Sequence, residues 1–380
     1  MEPFVCPRCG NKDARYIGIK FGKPYCRRCI SFQGVKAEYQ PKKKKDVNLH
    51  LDYPLSKEQH FLSEQVKSNF ANGINTLVYA VTGSGKTEIS YGVIAFAMSQ
   101  GMNVGFALPR RDVVIELYFR LKEAFPEQKI VAVYGQHTSA LTGDCIILTT
   151  HQLYRYPHYF DLLVLDEIDA FPFKGDPMLR RFFLDSIRGH YVMMSATPSK
   201  DVVDEFKQDG HAILSLRTRF HRHPIPVPRV IRKPLLLQYI TICKELNRFL
   251  RKGKQCFIFV PTVNMAASLF AFVSKFCPGG NYVSSKREGR EEIIAAFKKG
   301  TFKYLVTTAV LERGVTVKGL QVIVFHADDQ IYDAAALIQI AGRAGRKMSE
   351  PTGEVVFLCQ RESEGIKRAI EEIKFCNRFL

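Results

Sequence analysis

The chain has 380 residues, 46% of them hydrophobic, and a formal net charge of +18. This length suits two domains of ordinary size with a small appendage, and the hydrophobic content excludes a disordered chain. Much of the positive charge is local, because residues 1–45 contain 12 Lys or Arg with 3 Asp or Glu, and residues 211–235 contain 6 Lys or Arg with no acid. Such concentrated charge favours an anionic partner, either nucleic acid or a lipid surface.

The N-terminal residues favour a cytoplasmic protein. They read MEPFVCPRCG and lack the basic and then apolar pattern of a secretory signal. The most apolar stretch, 256–273, contains Pro261 and Asn264, which a membrane span disfavours. Ten cysteines without a secretory signal indicate a reducing compartment. We therefore predict a cytoplasmic protein that is at most peripheral on the inner face of the cell membrane.

Four of the cysteines form two close pairs at the start of the chain. Cys6-x2-Cys9 and Cys26-x2-Cys29 are 16 residues apart, which matches the spacing of a four-thiolate zinc site. Two disulfides are the alternative, although a reducing compartment disfavours them. Because a module of about 40 residues has little core, zinc would be what folds it. Residues 1–45 are thus predicted to be a zinc module followed by a lysine-rich linker, Pro41–Lys45, which is either a solvated tether or a phosphate contact.

From residue 75 onward, short apolar runs alternate with helical patterns, which is typical of parallel βαβ units. In the first half a helix is predicted over 86–100, and strands over 76–81, 103–108, 129–134, 145–150, 162–167 and 191–196. In the second half the last nineteen residues predict an amphipathic helix, and strands are predicted over 256–261, 304–309, 321–327 and 354–359. Four prolines within 217–234 exclude a regular helix or a central strand there. The fold class is therefore α/β, with parallel-sheet lobes at 46–210 and 236–380 joined by a basic, proline-rich linker at 211–235.

A phosphate-binding loop is predicted between the first of these strands and the helix that follows it. The sequence AVTGSGKT, residues 80–87, places glycines where backbone amides must turn toward phosphates at a helix N-terminus. Lys86 would reach the β- and γ-phosphates, and the Thr87 hydroxyl would bind Mg²⁺. Ala80 stands where the strict pattern has glycine, and an ordinary glycine-rich turn is the alternative. The predicted ATP-binding residues of this loop are Thr82, Gly83, Ser84, Gly85, Lys86 and Thr87.

An acidic cluster follows the apolar run at 162–165. A carboxylate at the carboxyl end of a parallel strand faces the ligand crevice of such a fold. Asp166 is predicted to hold Mg²⁺, and Glu167 to orient and deprotonate the attacking water. Taken alone, the cluster would be read as a solvated loop. Its place at a strand end, 80 residues after Lys86, favours the catalytic interpretation.

Further segments follow in a fixed order, with Ser195-Ala196-Thr197 at the end of the next strand and QIAGRAGR at 339–346. The series of P-loop, acidic box, SAT and QxxGRxGR resembles superfamily 2 helicases and translocases. The resemblance implies two RecA-like lobes and a DNA-stimulated ATPase. It also implies that Gln59, upstream of the P-loop, reads adenine, and that Ser195 and Thr197 couple hydrolysis to lobe movement.

The same resemblance assigns roles in the second lobe. It implies that Gln339, Arg343 and Arg346 complete the ATP site, with Arg346 as the arginine finger. This fits the need for positive charge on the γ-phosphate of a phosphoryl transition state. Without the rest of the series, GRAGR would be a basic surface loop.

Nucleic-acid contacts are predicted at positions where this superfamily grips the sugar-phosphate backbone. Arginine and hydroxyl side chains suit phosphate and carry no sequence information. For each of these residues, helix capping or a surface charge is the alternative. The predicted contacts are Arg110, Arg111, Thr150, His151 and Thr308.

A four-cysteine module ahead of a minimal superfamily 2 core is similar to the ComFA family of late-competence proteins. FDLLVLDEIDAFPF at 160–173, LERGVT at 311–316 and QIAGRAGR carry this likeness. It implies an ATP-dependent translocase that drives single-stranded DNA into the cell during natural transformation. It also implies ATP, Mg²⁺ and Zn²⁺ as cofactors, with a membrane DNA-channel protein and other cytosolic competence proteins as partners. A homo-oligomer is left open.

Two other functions are weighed. One is a DNA helicase of replication restart or repair, since the core also resembles the primosomal restart helicase. The other is a zinc-dependent DNA-binding adaptor with a vestigial ATPase. The presence of Lys86, Glu167, Arg343 and Arg346 argues against the adaptor, because a decayed motor usually loses one of them.

Overall fold

The computed structural model describes residues 4–51, 53–81, 83–170, 172–219, 222–284, 287–308, 317–345 and 350–380. The chain divides into two compact units. The first comprises Met1–Ala80 and Gly85–Leu216, and the second comprises Val81–Ser84 and Arg217–Leu380. Within the described ranges, none of the helices combines the length and the apolar character that a membrane span requires.

The first unit is built on a seven-stranded parallel sheet with the order β5-β6-β4-β7-β8-β3-β9. Its strands are β3 Thr76–Ala80, β4 Val104–Leu108, β5 Ile130–Val133, β6 Cys145–Thr149, β7 Phe160–Asp166, β8 Ile187–Ser195 and β9 Ala212–Leu216. Its helices are α1 Lys57–Ala71, α2 Lys86–Ser99, α3 Arg111–Ala124, α4 Pro177–Ser186 and α5 Lys200–Gln208. A 3₁₀ helix, Thr150–Arg155, follows β6.

Both faces of this sheet are buried, which explains why its strands are continuous apolar runs instead of alternating ones. Successive side chains of a strand point to opposite faces. In β7, Leu162 and Val164 join one core cluster, whereas Leu163 and Leu165 join the other. The apolar run thus covers two cores and brings Asp166 to the carboxyl edge of the sheet.

The second unit has a six-stranded parallel sheet with the order β10-β15-β14-β11-β13-β12. Its strands are β10 Arg229–Arg232, β11 Cys256–Phe259, β12 Gly280–Val283, β13 Tyr304–Thr307, β14 Gln321–Val324 and β15 Val355–Cys359. Its helices are α6 Leu235–Arg251, α7 Val263–Val273, α8 Arg290–Lys298, α9 Ala334–Ala341 and α10 Glu364–Cys376. Phe257 and Phe259 of β11 point into one core, and Cys256 and Ile258 point into the other.

The two parallel sheets confirm the predicted α/β fold class with RecA-like lobes, and all ten strands predicted from the apolar runs are present. The structure differs over 211–235, which the sequence predicts to be a linker. Residues Ala212–Leu216 pair with β3 at one edge of the first sheet. Arg229–Arg232 pairs with β15 at the edge of the second. An edge strand tolerates the neighbouring prolines because only one of its sides must form ladder hydrogen bonds.

The N-terminal part belongs to the first unit. Its antiparallel hairpin consists of β1 Ile17–Lys20 and β2 Lys23–Cys26. The lysine run that follows is not a free tether. Lys42 donates to the carbonyl oxygen of Gly143 at 2.6 Å, and Lys45 forms an ion pair with Asp144 at 2.8 Å. Burial lowers the pKa of Lys42.

Candidate ATP site and zinc centre

The loop after β3 has the backbone that phosphate binding requires. Gly83 and Gly85 have φ of +85° and +78°, a left-handed conformation that glycine adopts without a steric cost. Gly85 is the N-cap of α2, so the amides of the first helical turn point toward this loop. A Cβ atom at Gly85 would lie 2.2 Å from Nε2 of Gln59, so a side chain would fill the cradle. Thr82 lies outside the described residues.

Gln59 is held against this loop by a capping box at the start of α1. Its backbone N–H donates to the Ser56 hydroxyl at 3.2 Å, and its Oε1 accepts from the Ser56 backbone N–H at 2.9 Å. The side chain is only 2% exposed. The residue predicted to read adenine therefore has a fixed orientation, with its amide nitrogen turned to Gly85.

The predicted magnesium ligand and the P-loop lysine lie together. Lys86 Nζ is 3.9 Å from a carboxylate oxygen of Asp166. Burial raises the pKa of Asp166, and the charge of Lys86 opposes this shift. The single ammonium group balances the negative charge of this buried carboxylate only in part. The carboxylate is therefore suited to bind a cation. Glu167 follows with φ of +60°, unusual for a residue with a side chain, and its N–H donates to Asp166 at 2.7 Å.

The last residue of the acidic cluster, which the sequence analysis did not single out, connects it to the SAT segment. Asp169 accepts hydrogen bonds from the hydroxyls of Ser195 and Thr197, each at 2.9 Å. Ser195 ends β8, which is the neighbour of β7 in the sheet. The two predicted coupling residues therefore hold the segment that carries the predicted catalytic acids. The sequence could have indicated a role for Asp169, because it is the fourth residue of the acidic segment DEID.

In the second unit, Gln339 lies in α9 and Arg343 lies just after it, and both side chains are buried. Arg346 lies outside the described residues. Arg219, which is 2% exposed, was also not predicted. Its guanidinium donates to the carbonyl oxygens of Gly342, Ala344 and Gly345 at 2.9–3.2 Å. This contact could not be predicted from the sequence, because Arg219 precedes the loop at 342–345 by more than 120 residues.

The predicted nucleic-acid residues have different environments. Arg110 is the N-cap of α3 after β4. Arg111 is exposed, with its guanidinium 5.3 Å from the ring centroid of Tyr134. Thr150 and Thr308 have buried hydroxyls. His151 stacks on Phe32 of the N-terminal part, and burial lowers its pKa.

The four cysteines of the N-terminal module converge as predicted. Their sulfur atoms all lie within 4.8 Å of one another and are buried. The distance is 3.6 Å from Cys6 to Cys29 and 3.7 Å from Cys9 to Cys26, far longer than a disulfide bond of about 2.05 Å. A tetrahedral zinc site with Zn–S bonds of about 2.3 Å separates its sulfurs by about 3.8 Å. The cluster could therefore hold a zinc ion.

Ionisation of these thiols also fits a cation. Burial raises the pKa of Cys9 to about 11 and raises that of Cys29 as well. At Cys6, burial is outweighed by hydrogen bonds from the backbone N–H groups of Cys9 and Arg8, which lower its pKa. Ionisation of all four buried thiols would therefore need a positive partner, which a zinc ion could supply.

Comparison with known proteins agrees with this arrangement. Residues 62–206 match the DEAD/DEAH box helicase family, and residues 238–348 match the helicase conserved C-terminal domain. The solved structure of S. cerevisiae Dbp5 bound to RNA and ADP BeF3 has a TM-score of 0.66 at 17% identity, over 86% of this chain and 88% of Dbp5. That likeness shows the fold. The chain is an ATPase of the superfamily 2 helicase type, which uses ATP and Mg²⁺.

Two relatives match almost the whole chain. Competence protein ComFA of Streptococcus pneumoniae is 32% identical over 391 residues, which covers 98% of this chain and 90% of that protein. Competence protein ComFA of Bacillus subtilis is 33% identical over 398 residues, which covers 98% of this chain and 86% of that protein. Because both matches exceed 30% identity over 98% of the residues, this chain belongs to the ComFA family of competence proteins.

Proposed function

We propose that this protein is an ATP-dependent translocase on single-stranded DNA that drives DNA uptake during natural transformation. The observation that carries the proposal is the proximity of Lys86 to Asp166 within a chain that matches ComFA over nearly its full length. The names of the relatives supply the link to competence, and the superfamily supplies the link to nucleic acid. The basic N-terminal module supports an anionic polymer as substrate.

The residues of the proposed ATP site have separable tasks. ATP with Mg²⁺, when bound, supplies a phosphoryl group whose transfer to water releases free energy. The amides at Gly83 and Gly85 and the ammonium group of Lys86 bind phosphate oxygens. Asp166 and Thr87 supply oxygen ligands for the cation. Glu167 orients the attacking water and accepts its proton.

Coupling to movement rests on the hydrogen bonds of Asp169. Ser195 and Thr197 hold Asp169 at 2.9 Å, so a shift of the acidic cluster must move the end of β8. The loop from 342 to 345, held by Arg219, precedes Arg346, the proposed arginine finger. Backbone contacts of the two lobes with one strand would then act as alternating grips, with Arg110, Arg111, Thr150, His151 and Thr308 as the proposed contact residues.

The cysteine cluster holds one zinc ion in this proposal. Two sulfur separations support it, since the 3.6 Å from Cys6 to Cys29 and the 3.7 Å from Cys9 to Cys26 are within about 0.2 Å of those in a tetrahedral site. The ion is structural, because four thiolates leave no open coordination position for a substrate. The partners implied by the family, a membrane DNA-channel protein and other competence proteins, are part of the same proposal. They place the motor at the cytoplasmic face of the membrane, either alone or as a homo-oligomer.

Translocation is favoured over unwinding because duplex separation usually needs an additional wedge. Within the described residues, the elements outside the two sheets and their helices are short 3₁₀ helices and the N-terminal module, whose hairpin strands are four residues long. Strands of that length span about 13 Å. We expect movement along single strands with weak separation of long duplexes.

The test has two parts. ATP hydrolysis is measured without polymer and with single-stranded DNA, duplex DNA or RNA. Displacement of streptavidin from a biotinylated single strand is then compared with separation of a tailed duplex. Stimulation by single-stranded DNA together with streptavidin displacement supports the proposal. Robust duplex separation by the protein alone favours a restart or repair helicase, and zinc-dependent DNA binding without hydrolysis favours the adaptor.

A further inference from the structure

The tip of the β1–β2 hairpin carries an aromatic side chain in an unfavourable backbone conformation. Phe21 and Gly22 connect the strands and have φ of +49° and +73°, the left-handed pair of a type I′ turn. Asn-Gly is the usual choice there, and a bulky residue at positive φ is strained. Of the large apolar side chains in the described residues, Phe21 is the most exposed, at 93%. Neither folding nor packing explains a phenylalanine at this place.

A second unfavourable feature lies beside it. Lys20 and Lys23 are directly opposite each other in the hairpin register. Like charges in this position repel each other. Over the described part of the chain, neither lysine has a carboxylate within ion-pair distance, and Lys20 Nζ lies 5.7 Å from the Phe21 ring centroid. A polyanion that lies across the tip would remove this repulsion.

The base of the hairpin is fixed, so the tip is a defined projection. Cys26, at the end of β2, pairs with Ile17 and belongs to the sulfur cluster. On the face that bears the two lysines, the ring of Tyr25 packs on Gly18, where a Cβ atom would lie 2.6 Å from the ring. The module is further attached to the first unit by an ion pair from Arg28 to Asp176 at 3.4 Å.

We infer that this hairpin tip is a binding subsite for unpaired nucleic-acid bases, with one base stacked on Phe21 and the adjacent phosphates held by Lys20 and Lys23. Stacking on an aromatic ring flanked by cations is the general means of binding single strands without sequence preference. Backbone strain tends to be stored where a side chain must be presented to a ligand. The inference rests on the proposed function, because it names the element that contacts the single strand.

The chain contains no tryptophan, which makes a direct test possible. Phe21→Trp in the full-length protein introduces a single tryptophan at the tip, whose emission is excited selectively over that of the tyrosines. We expect an oligo(dT) strand to quench its emission and Phe21→Trp to bind DNA as well as the wild type. Phe119→Trp is the matched control, since Phe119 is also an exposed phenylalanine, 59% accessible, but lies in the regular helix α3. Its emission should not change with DNA.

In Phe21→Gly, DNA binding should weaken although the thermal stability of the protein does not fall. Glycine removes the ring and relieves the positive φ, so the thermal stability of the protein should be unchanged or higher. The dissociation constant for oligo(dT) should rise about 5- to 150-fold, the range for loss of one stacked base. Phe21→Tyr should restore binding. In Lys20→Gln/Lys23→Gln, two phosphate contacts are lost. The slope of log K for DNA binding against log salt concentration should therefore become less steep by about 1.4.

The outcomes distinguish this inference from the proposed function. If single-stranded DNA stimulates hydrolysis while Phe21→Gly binds it normally and Phe21→Trp is not quenched, the hairpin inference is wrong and the translocase proposal stands. If DNA neither binds nor stimulates hydrolysis, the proposed function itself fails. Vesicles of phosphatidylglycerol and phosphatidylethanolamine are the third arm. A blue shift of Phe21→Trp on vesicles without quenching by DNA would overturn the inference in favour of a lipid surface.

Discussion

The first unit contains two regions that are stabilised in opposite ways. The parallel sheet buries apolar side chains on both faces, so its stability comes from surface removed from water. Within residues 4–30, the buried side chains belong to the four cysteines and Asn11, while Val5, Tyr16, Ile19, Phe21 and Ile30 are exposed. Apart from its cysteines, this segment buries little apolar surface, so hydrophobic burial alone contributes little to its stability. A core makes the motor lobe independent of a ligand, whereas we expect the module to depend on a metal ion at the sulfur cluster.

The strongest test of this contrast removes the sulfurs. Cys26→Ser/Cys29→Ser should abolish zinc binding and unfold the module, because structural zinc in small domains contributes about 10–16 kcal/mol. The motor lobes should stay folded and hydrolyse ATP at the basal rate. Metal analysis, circular dichroism and basal ATPase rates check this prediction. Cys243→Ser, outside the cluster, is the control. Two disulfides and no zinc in the native protein would contradict it.

The next largest effect lies in the other region. Glu167→Gln should lower kcat for ATP by about 10²- to 10⁴-fold, because the amide cannot accept the proton of the attacking water. Nucleotide binding and zinc content should stay at the wild-type level. Turnover and binding of a fluorescent ATP analogue give the two readouts. Near-normal turnover would remove Glu167 from the catalytic site.

A smaller effect is expected at Arg219, where a charge is buried among carbonyl groups. Arg219→Lys keeps the charge but cannot reach three carbonyl oxygens with a planar fork. A hydrogen bond from a charged group contributes about 1.5–3 kcal/mol, so we expect kcat to fall by about 10-fold as the loop before Arg346 loosens. Arg217→Lys is the control, because Arg217 stacks on Phe375 and Phe379 instead. Equal losses in both variants would mean a general effect of the substitution.

The smallest effect concerns the joint between the two regions, where Phe32 stacks on His151. Burial lowers the pKa of His151, although the charge of Asp176 opposes the shift. The unfolded state therefore binds a proton first as the pH falls below about 6.5, and this part of the stability is present above that pH and lost below it. The protection of residues 31–39 from hydrogen exchange, corrected for the intrinsic exchange rate at each pH, should fall from pH 7.5 to pH 5.5 more in the wild type than in His151→Phe. Equal losses of protection would show that His151 does not control the joint.

Local sequence patterns were sufficient for the parts of this protein that depend on short-range chemistry. Buried parallel strands need continuous apolar runs, so ten strands could be predicted from runs such as 162–165. The P-loop glycines and the cysteine pairs have spacings imposed by phosphate and metal geometry. Their convergence, with Lys86 near Asp166 and four sulfurs within 4.8 Å, followed those expectations.

Long-range pairing was decided only by the tertiary structure. Residues 212–216 and 229–232 are edge strands because they pair with β3 and β15, which are far away in the sequence. The prolines and basic residues around them indicated a linker instead. Asp169 and Arg219 acquire their roles from hydrogen bonds to residues 26 to 126 positions away. Phe21 is distinguished only by its positive φ and its high exposure in the folded chain. A sequence records which groups are available, whereas packing in three dimensions selects which of them meet.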